Sequence, residues 1–295
     1  MNPHAPERIG VLAAIVSSAL GGIAGGTTRF VISATDPVTL GVFRFGTGFL
    51  LLLSVALVLR SRWPKGRDWI AVVLLGILFF FAFSVLFNLA YSYTTAARGA
   101  LALSTMPIVT MLVGAVLGVE TLTLRKTAGV LVAFAGVTVA LTTGLASAPE
   151  DAWRGELIML GAVFCMSLYN VWSRPFIAGS DPIAFVTAGM GAAALCLLVW
   201  AYLIDGFSAV GNFEAPQWIA VVYLGALGSA VIFYLWAFAL ARISPTKTAV
   251  TITVNPLFAA IVGALVVSEP IGINLVVGLL AVFAGIWIAA TAESG

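Results

Sequence analysis

Apolar residues along this chain come in ten long runs, at approximately 10–31, 38–59, 69–92, 97–118, 126–144, 155–175, 183–204, 217–240, 246–267 and 272–291. Each is close to the ~20 residues that a helix needs to cross a ~30 Å hydrocarbon core. The runs are continuously apolar, without the strict alternation of a half-buried strand, and are too long for strands. They predict an all-α integral membrane protein of ten transmembrane helices. The longest connections, around Arg60–Asp68, Leu145–Arg154 and Asp205–Pro216, are about ten residues each and leave no soluble domain to hold an active site. The first run follows a short polar start, as a signal peptide would. Its glycine-rich pattern recurs later in the chain, so it reads as a mature helix.

Composition agrees with the pattern. The 295 residues are 61% apolar and 9% charged, with a mean hydropathy of +1.12. A soluble chain is about half apolar and roughly a quarter charged. The only histidine, His4, lies in the polar N-terminal stretch, which removes Ser–His and Cys–His dyads and multi-histidine metal sites. Cys165 and Cys196 both lie in apolar runs, unlike the cysteines of a disulfide framework or a zinc cluster. No phosphate-binding loop is present for an ATP-driven pump. We therefore expect no enzyme, no cofactor and no metal. The net charge of +2 gives no reason to expect nucleic acid; the expected partners are the lipid bilayer and a small-molecule substrate, with no obligatory protein partner. Counting Lys and Arg over alternate connections places ten on one side and three on the other, which predicts both termini in the cytoplasm.

The second half of the chain repeats the first. Residues 69–78 (WIAVVLLGIL) and 218–227 (WIAVVYLGAL) share eight of ten residues at an offset of 149. The same offset pairs Pro107 with Pro256, Gly114 with Gly263, Glu120 with Glu269, Gly129 with Gly278 and Gly136 with Gly285. An offset of 145 pairs Gly10 with Gly155, Arg29 with Arg174, and Asp36-Pro37 with Asp181-Pro182. This divides the chain into five-helix repeats at 1–148 and 149–295. Five is odd, so the repeats enter the membrane in opposite senses, an arrangement that builds many secondary transporters with a substrate site near the midplane.

Two such units, each ending Pro-(12)-Glu-(8)-Gly-(6)-Gly, resemble the paired EamA domains of the drug/metabolite transporter superfamily. Length and the aromatic-rich third helix are similar to the bacterial YddG-like aromatic amino-acid exporters. The resemblance implies a ten-helix exporter of aromatic and other amino acids in the bacterial inner membrane, working by alternating access through a central cavity. The alternatives are a drug or other metabolite exporter of the same superfamily, or a non-transporting membrane subunit.

Several residues are candidates for carrying transport. Pro107 and Pro256 lie mid-span; a proline there removes a backbone hydrogen bond and frees the carbonyl four residues back, Leu103 or Ile252. They predict kinked helices around a wet cavity, or kinks repaired by neighbouring Ser and Thr. On the third helix, Phe80, Ser84, Phe87, Asn88 and Tyr91 share one α-helical face; Phe233 and Trp236 lie on the equivalent face of the eighth. Aromatic walls with a few polar groups suit a ligand with an aromatic side chain. Tyr169 and Asn170 stand where the first repeat has Ala24 and Gly25, which adds bulk and polarity on one side only. The glycines at 21, 22, 25 and 26 predict close helix approach. Arg44, opposite Gly189 in the repeat alignment, is the one charge well inside a span; it attracts a substrate carboxylate, snorkels to the headgroups or joins an ion pair. Arg98 and Lys247, repeat equivalents at helix N-termini, oppose the helix dipole and so call for anionic partners. They are gate candidates on opposite faces. Every Asp and Glu falls near a predicted helix end, with Glu120 and Glu269 nearest to the interior and read as structural, which predicts transport down the substrate's own gradient; the alternative is coupling through Glu120, water chains or backbone carbonyls.

Overall fold

The computed structural model describes residues 5–94, 96–140, 150–258 and 273–291. It consists of α1 (Ala5–Ile32), α2 (Pro37–Val58), α3 (Asp68–Tyr93), α4 in two pieces (Ala96–Leu103 and Met106–Val116), α5 (Leu124–Ala140), α6 (Ala152–Trp172), α7 (Pro182–Leu203), α8 (Ala215–Leu240), α9 from Pro245, and α10 (Ile273–Ala290). No strand occurs among the described residues. Helices α1 to α4 and α6 to α8 contain stretches long and apolar enough to cross a bilayer. Helix α5 has 17 residues and α10 has 18. Beyond residue 258 the ninth run, with Gly263 and Glu269, lies outside the described residues. Leu12, Leu50, Leu74, Leu157, Leu195, Ile219 and Leu280 all project outward and are more than half exposed. A surface of this kind is matched to lipid, not water.

Glycines set the closest helix contacts. A Cβ on Gly129 would stand 2.7 Å from the Gly285 carbonyl oxygen, and one on Gly136 2.9 Å from that of Gly278. Residue numbers rise on α5 as they fall on α10, so the two helices are antiparallel. Gly129 and Gly136 are the repeat equivalents of Gly278 and Gly285, so exchanging the repeats maps this contact onto itself. The same exchange relates the helix pair α3 and α7, which approach closely at Gly76 and Gly189, to the pair α8 and α2, which approach closely at Gly225 and Thr47. A pseudo-two-fold relation between inverted repeats organises the bundle.

Both repeats also interrupt the same two helices. Within α3 the turns widen to π-helix over Ile77–Phe83, and within α8 over Ala226–Val231, which is the equivalent position. Helix α4 breaks at Ser104–Thr105, and α9 passes through a 3₁₀ turn at Thr251–Val254. Pro107 and Pro256 each stand second in the segment after the break, where a missing N–H costs no helical hydrogen bond. The prolines therefore restart interrupted helices, where the sequence reading places them mid-helix at the expense of a hydrogen bond. Ser104 and Thr105 hydroxyls donate to the Ala100 and Ala102 carbonyls, and Thr251 and Thr253 to those of Thr248 and Val250.

Candidate substrate site between the repeats

The interruptions surround a buried cavity. Its wall is formed by Ser17, Ser18 and Gly21 of α1, Arg44 of α2, Phe83 and Phe87 of α3, Leu103 of α4, Met166 of α6, Ile232, Phe233 and Trp236 of α8, and Ile252 and Asn255 of α9. Both repeats contribute, and the two residues behind the prolines, Leu103 and Ile252, are both present. Measured to water centres the cavity holds about 40 Å³. One water needs ~10–15 Å³ on that measure, so a few waters fit and an amino acid does not until the helices separate.

Arg44 points into the protein and is only 5% exposed. Its Nε donates to Ser229 Oγ at 3.1 Å and its Nη2 to the Gly228 carbonyl at 3.0 Å, both within the π segment of α8. The guanidinium also lies 5.4, 5.8 and 6.0 Å from the ring centres of Phe45, Phe87 and Phe233. No carboxylate pairs with it among the described residues. It neither snorkels nor forms an ion pair.

Four of the sequence candidates reach the cavity wall: Arg44, Phe87, Phe233 and Trp236. Phe80 and Tyr169 do not. They pack behind it, with Tyr169 stacked on Phe79 at 4.3 Å and Phe80 against Phe45 and Phe233 at 5.7 and 5.3 Å. Asn170 is also behind the wall, and its Oδ1 accepts the Trp236 indole N–H at 2.8 Å, which fixes that ring. Asn88 donates to the Pro37 carbonyl at 3.0 Å and ties α3 to the start of α2. Ser84 is buried beside Gly41. Tyr91 lies against Phe87 at 4.9 Å and occupies room left by Gly25 and Gly99. The shared α-helical face of 80, 84, 87/88 and 91 does not survive, because a π segment holds more residues per turn and rotates the turns after it. Phe83 takes the place expected of Ser84.

Two wall residues escape a reading at α-helical spacing. Phe83 is hidden by that change of phase. Asn255 carries a readable signal, an amide inside an apolar run immediately before Pro256. It is 7% exposed, and its Oδ1 has no hydrogen-bond partner among the described residues. The glycine pattern in α1 also has a different purpose from backbone packing: Gly21 admits the Asn255 side chain and Gly25 the Tyr91 hydroxyl.

An ion pair between repeats stands at each end of the bundle. Lys247 at the start of α9 meets Glu7 at the start of α1, with Nζ–Oε1 2.7 Å. At the opposite end Arg98 at the start of α4 meets Glu156 at the start of α6. Arg98 and Lys247 are repeat equivalents, and so are α1 and α6; both pairs join equivalent helices. Backbone ties repeat as well: Arg29 donates to the Tyr91 carbonyl at 2.8 Å, and Arg174 to that of Leu240 at 3.2 Å. Glu120 is buried with Lys126, Oε2–Nζ 3.2 Å, and its Oε1 accepts the Thr246 N–H of α9 at 2.9 Å.

Inverted repeats around a central cavity, joined by an ion pair at each end, are the arrangement of a membrane transporter of the inverted-repeat class. The sequence profile of the EamA-like transporter family matches residues 8–142 and again 153–291, and this chain belongs to that family. It is 28% identical over 250 residues, 82% of each chain, to the probable terminal-alkyne amino-acid exporter of Streptantibioticus cattleyicolor. It is also 23% identical to the uncharacterized transporter YyaM of Bacillus subtilis, over 88% of this chain and 86% of that one. An uncharacterized Pseudomonas aeruginosa protein is 32% identical over 86% of this chain and 84% of its own. A crystal structure of a protein 21% identical in sequence shares the fold, with a TM-score of 0.75 over 96% of both chains.

Proposed function

We propose that this transporter exports amino acids, aromatic ones favoured, across the bacterial cytoplasmic membrane by alternating access, with both termini in the cytoplasm. The repeats at 1–148 and 149–295 would be the units that move. One observation carries the reading: the cavity between the repeats is walled by Phe83, Phe87, Phe233 and Trp236, with a guanidinium and an amide at its edge. Ring stacking adds ~0.5–1.5 kcal/mol per pair beyond area burial. That is a several-fold preference, so other amino acids also pass. The small cavity, with an ion pair at each end of the bundle, leaves both openings to be made by movement of the repeats. Opening the end at Glu7–Lys247 admits substrate from the cytoplasm, and opening the end at Arg98–Glu156 releases it. The amino-acid exporter among its relatives supports the same substrate class.

The buried Glu120 already holds Lys126 and the start of α9, which leaves it no free role as a proton carrier. We accordingly propose transport driven by the substrate gradient alone. The test is uptake of labelled amino acids, sugars, nucleotides and drugs into proteoliposomes containing only this protein, first without any ion gradient and then with a pH step of either sign. Uptake of aromatic amino acids to their equilibrium distribution is expected. Uptake of none of the amino acids, or accumulation above equilibrium driven by the pH step, contradicts the proposal.

A further inference from the structure

The cavity's charge pattern is lopsided in a way that helix packing does not require. Gly189, the repeat equivalent of Arg44, packs backbone to backbone on Gly76. Met106, the equivalent of Asn255, carries a thioether. One repeat thus contributes a cation and the other an amide to a single buried space.

Both groups are incompletely satisfied. A guanidinium removed from water needs a counter-charge as well as hydrogen bonds. Arg44 has a hydroxyl, a carbonyl and three ring faces, all neutral, and its Nη1 donates to nothing among the described residues. The planar fork of an arginine is suited to a carboxylate. Asn255 presents the complementary need, a buried Oδ1 with no donor among the described residues. A protonated amine supplies donors without competing for Arg44. Ser17 cannot donate to Asn255 Oδ1, since its one hydroxyl proton goes to the Ile232 carbonyl at 2.8 Å. A lone cation is the wrong ligand: Arg44 would repel it in a site with little water to screen the charge.

We infer that the cavity, once the helices separate enough to admit it, holds an α-amino acid as its zwitterion, with the carboxylate on Arg44, the ammonium on Asn255 Oδ1 and the side chain against Phe83, Phe87, Phe233 and Trp236. This rests on the amino-acid reading above and assigns the two ends of the substrate to opposite repeats. It also separates this site from one built for cationic drugs.

The test uses three indoles in competition with labelled tryptophan uptake: tryptophan, tryptamine without the carboxylate, and indole-3-propionate without the amine. In the wild type each analogue should compete about tenfold less well than tryptophan, since each leaves one buried group unpaired. Arg44→Gln should erase the penalty against tryptamine and keep the one against indole-3-propionate; Asn255→Leu should do the reverse. Arg44→Lys, which keeps the charge, should retain the tryptamine penalty and serves if Arg44→Gln does not fold. Analogues that compete as well as tryptophan in the wild type overturn the inference, as do variants that weaken all three indoles equally. Tryptophan uptake with either of those results sinks the zwitterion site alone; absence of amino-acid uptake sinks the amino-acid reading beneath it.

Discussion

The two repeats agree at the contacts that hold the bundle together and differ around the cavity between them. In both, glycines bring α5 and α10 together and an arginine at the end of the first helix donates to a carbonyl ending the third. Both carry a π segment in the third helix, a proline after the break in the fourth, and a cation paired with the first helix of the other repeat. Differences that bear on charge include Arg44 against Gly189 and Asn255 against Met106 around the cavity, and Lys126 against Leu275 and the contacts of Asp36 against those of Asp181 at the ends. Symmetric residues build two equivalent packings, as alternating access requires. Under the proposed amino-acid site, the asymmetric residues are the ones that match a substrate without two-fold symmetry.

That division can be broken at several points. The largest effect is expected at the α5–α10 contact. A side chain at Gly285 would meet the Gly129 carbonyl at 2.6 Å and one at Gly136 the Gly278 carbonyl at 2.9 Å. Overpacking costs ~1–3 kcal/mol even where side chains can move, and these neighbours are backbone. Gly136→Leu and Gly285→Leu should therefore abolish folded protein alike in detergent chromatography. Gly26→Leu should not, since no atom lies within 4 Å of a Cβ there. Next comes Glu120→Gln, which leaves Lys126 buried without its counter-charge. A loss of ~3–5 kcal/mol is expected, read as a fall in thermal midpoint. The repeat equivalent of Lys126 is Leu275, so no matching cation is stranded in the second repeat.

The ion pairs at the two ends should give smaller and opposite effects. Glu7→Gln weakens one closure and Glu156→Gln the other. A single cysteine placed at Ser18 on the cavity wall should react several-fold faster with a membrane-impermeant maleimide from the cytoplasmic side in the first variant and from the outer side in the second. The shift should be larger for Glu7→Gln, because Lys247 is 4% exposed against 26% for Arg98. The smallest effect is expected at Asp181. Asp36 caps α2 by accepting the Val38 and Thr39 N–H groups, both at 2.9 Å. Asp181 instead accepts the Arg62 N–H at 2.8 Å and pairs with its guanidinium. These contacts hold its carboxyl below the usual Asp value, the backbone hydrogen bond first among them. The stabilisation is present above the ordinary value of ~3.9 and is lost as pH falls through the lower folded value. Arg62 is 75% exposed, so the pair is worth at most ~1 kcal/mol. Wild type and Asp181→Asn should differ by a degree or two in thermal midpoint above about pH 5 and converge in acid.

The bundle was legible because lipid imposes it: uninterrupted apolar runs, repeated glycines and paired prolines all leave marks in the sequence. The position of the cavity wall was only partly legible. Counting at α-helical spacing from Phe80 to Tyr91 fails because the π segment at Ile77–Phe83 changes the phase, and its aromatic residues look like any buried helix. Arg44 could not be placed because a long side chain seven residues into a helix reaches the headgroups as easily as the core. The serines and threonines beside Pro107 and Pro256 donate to the Ala100, Ala102, Thr248 and Val250 carbonyls, not to those of Leu103 and Ile252 that the sequence singles out. The question that singles out Asn88, why an amide sits in an apolar run, points equally to Asn255.

The central claim is that two equivalent halves take turns in opening one shared site. Counterflow tests it most directly. Proteoliposomes loaded with unlabelled tryptophan and diluted into a trace of labelled tryptophan should take up label transiently above its equilibrium level, because each outward turn of the carrier returns the site for labelled substrate. Tryptophan that equilibrates without that overshoot is passing through a channel, and the alternating repeats would be the wrong account.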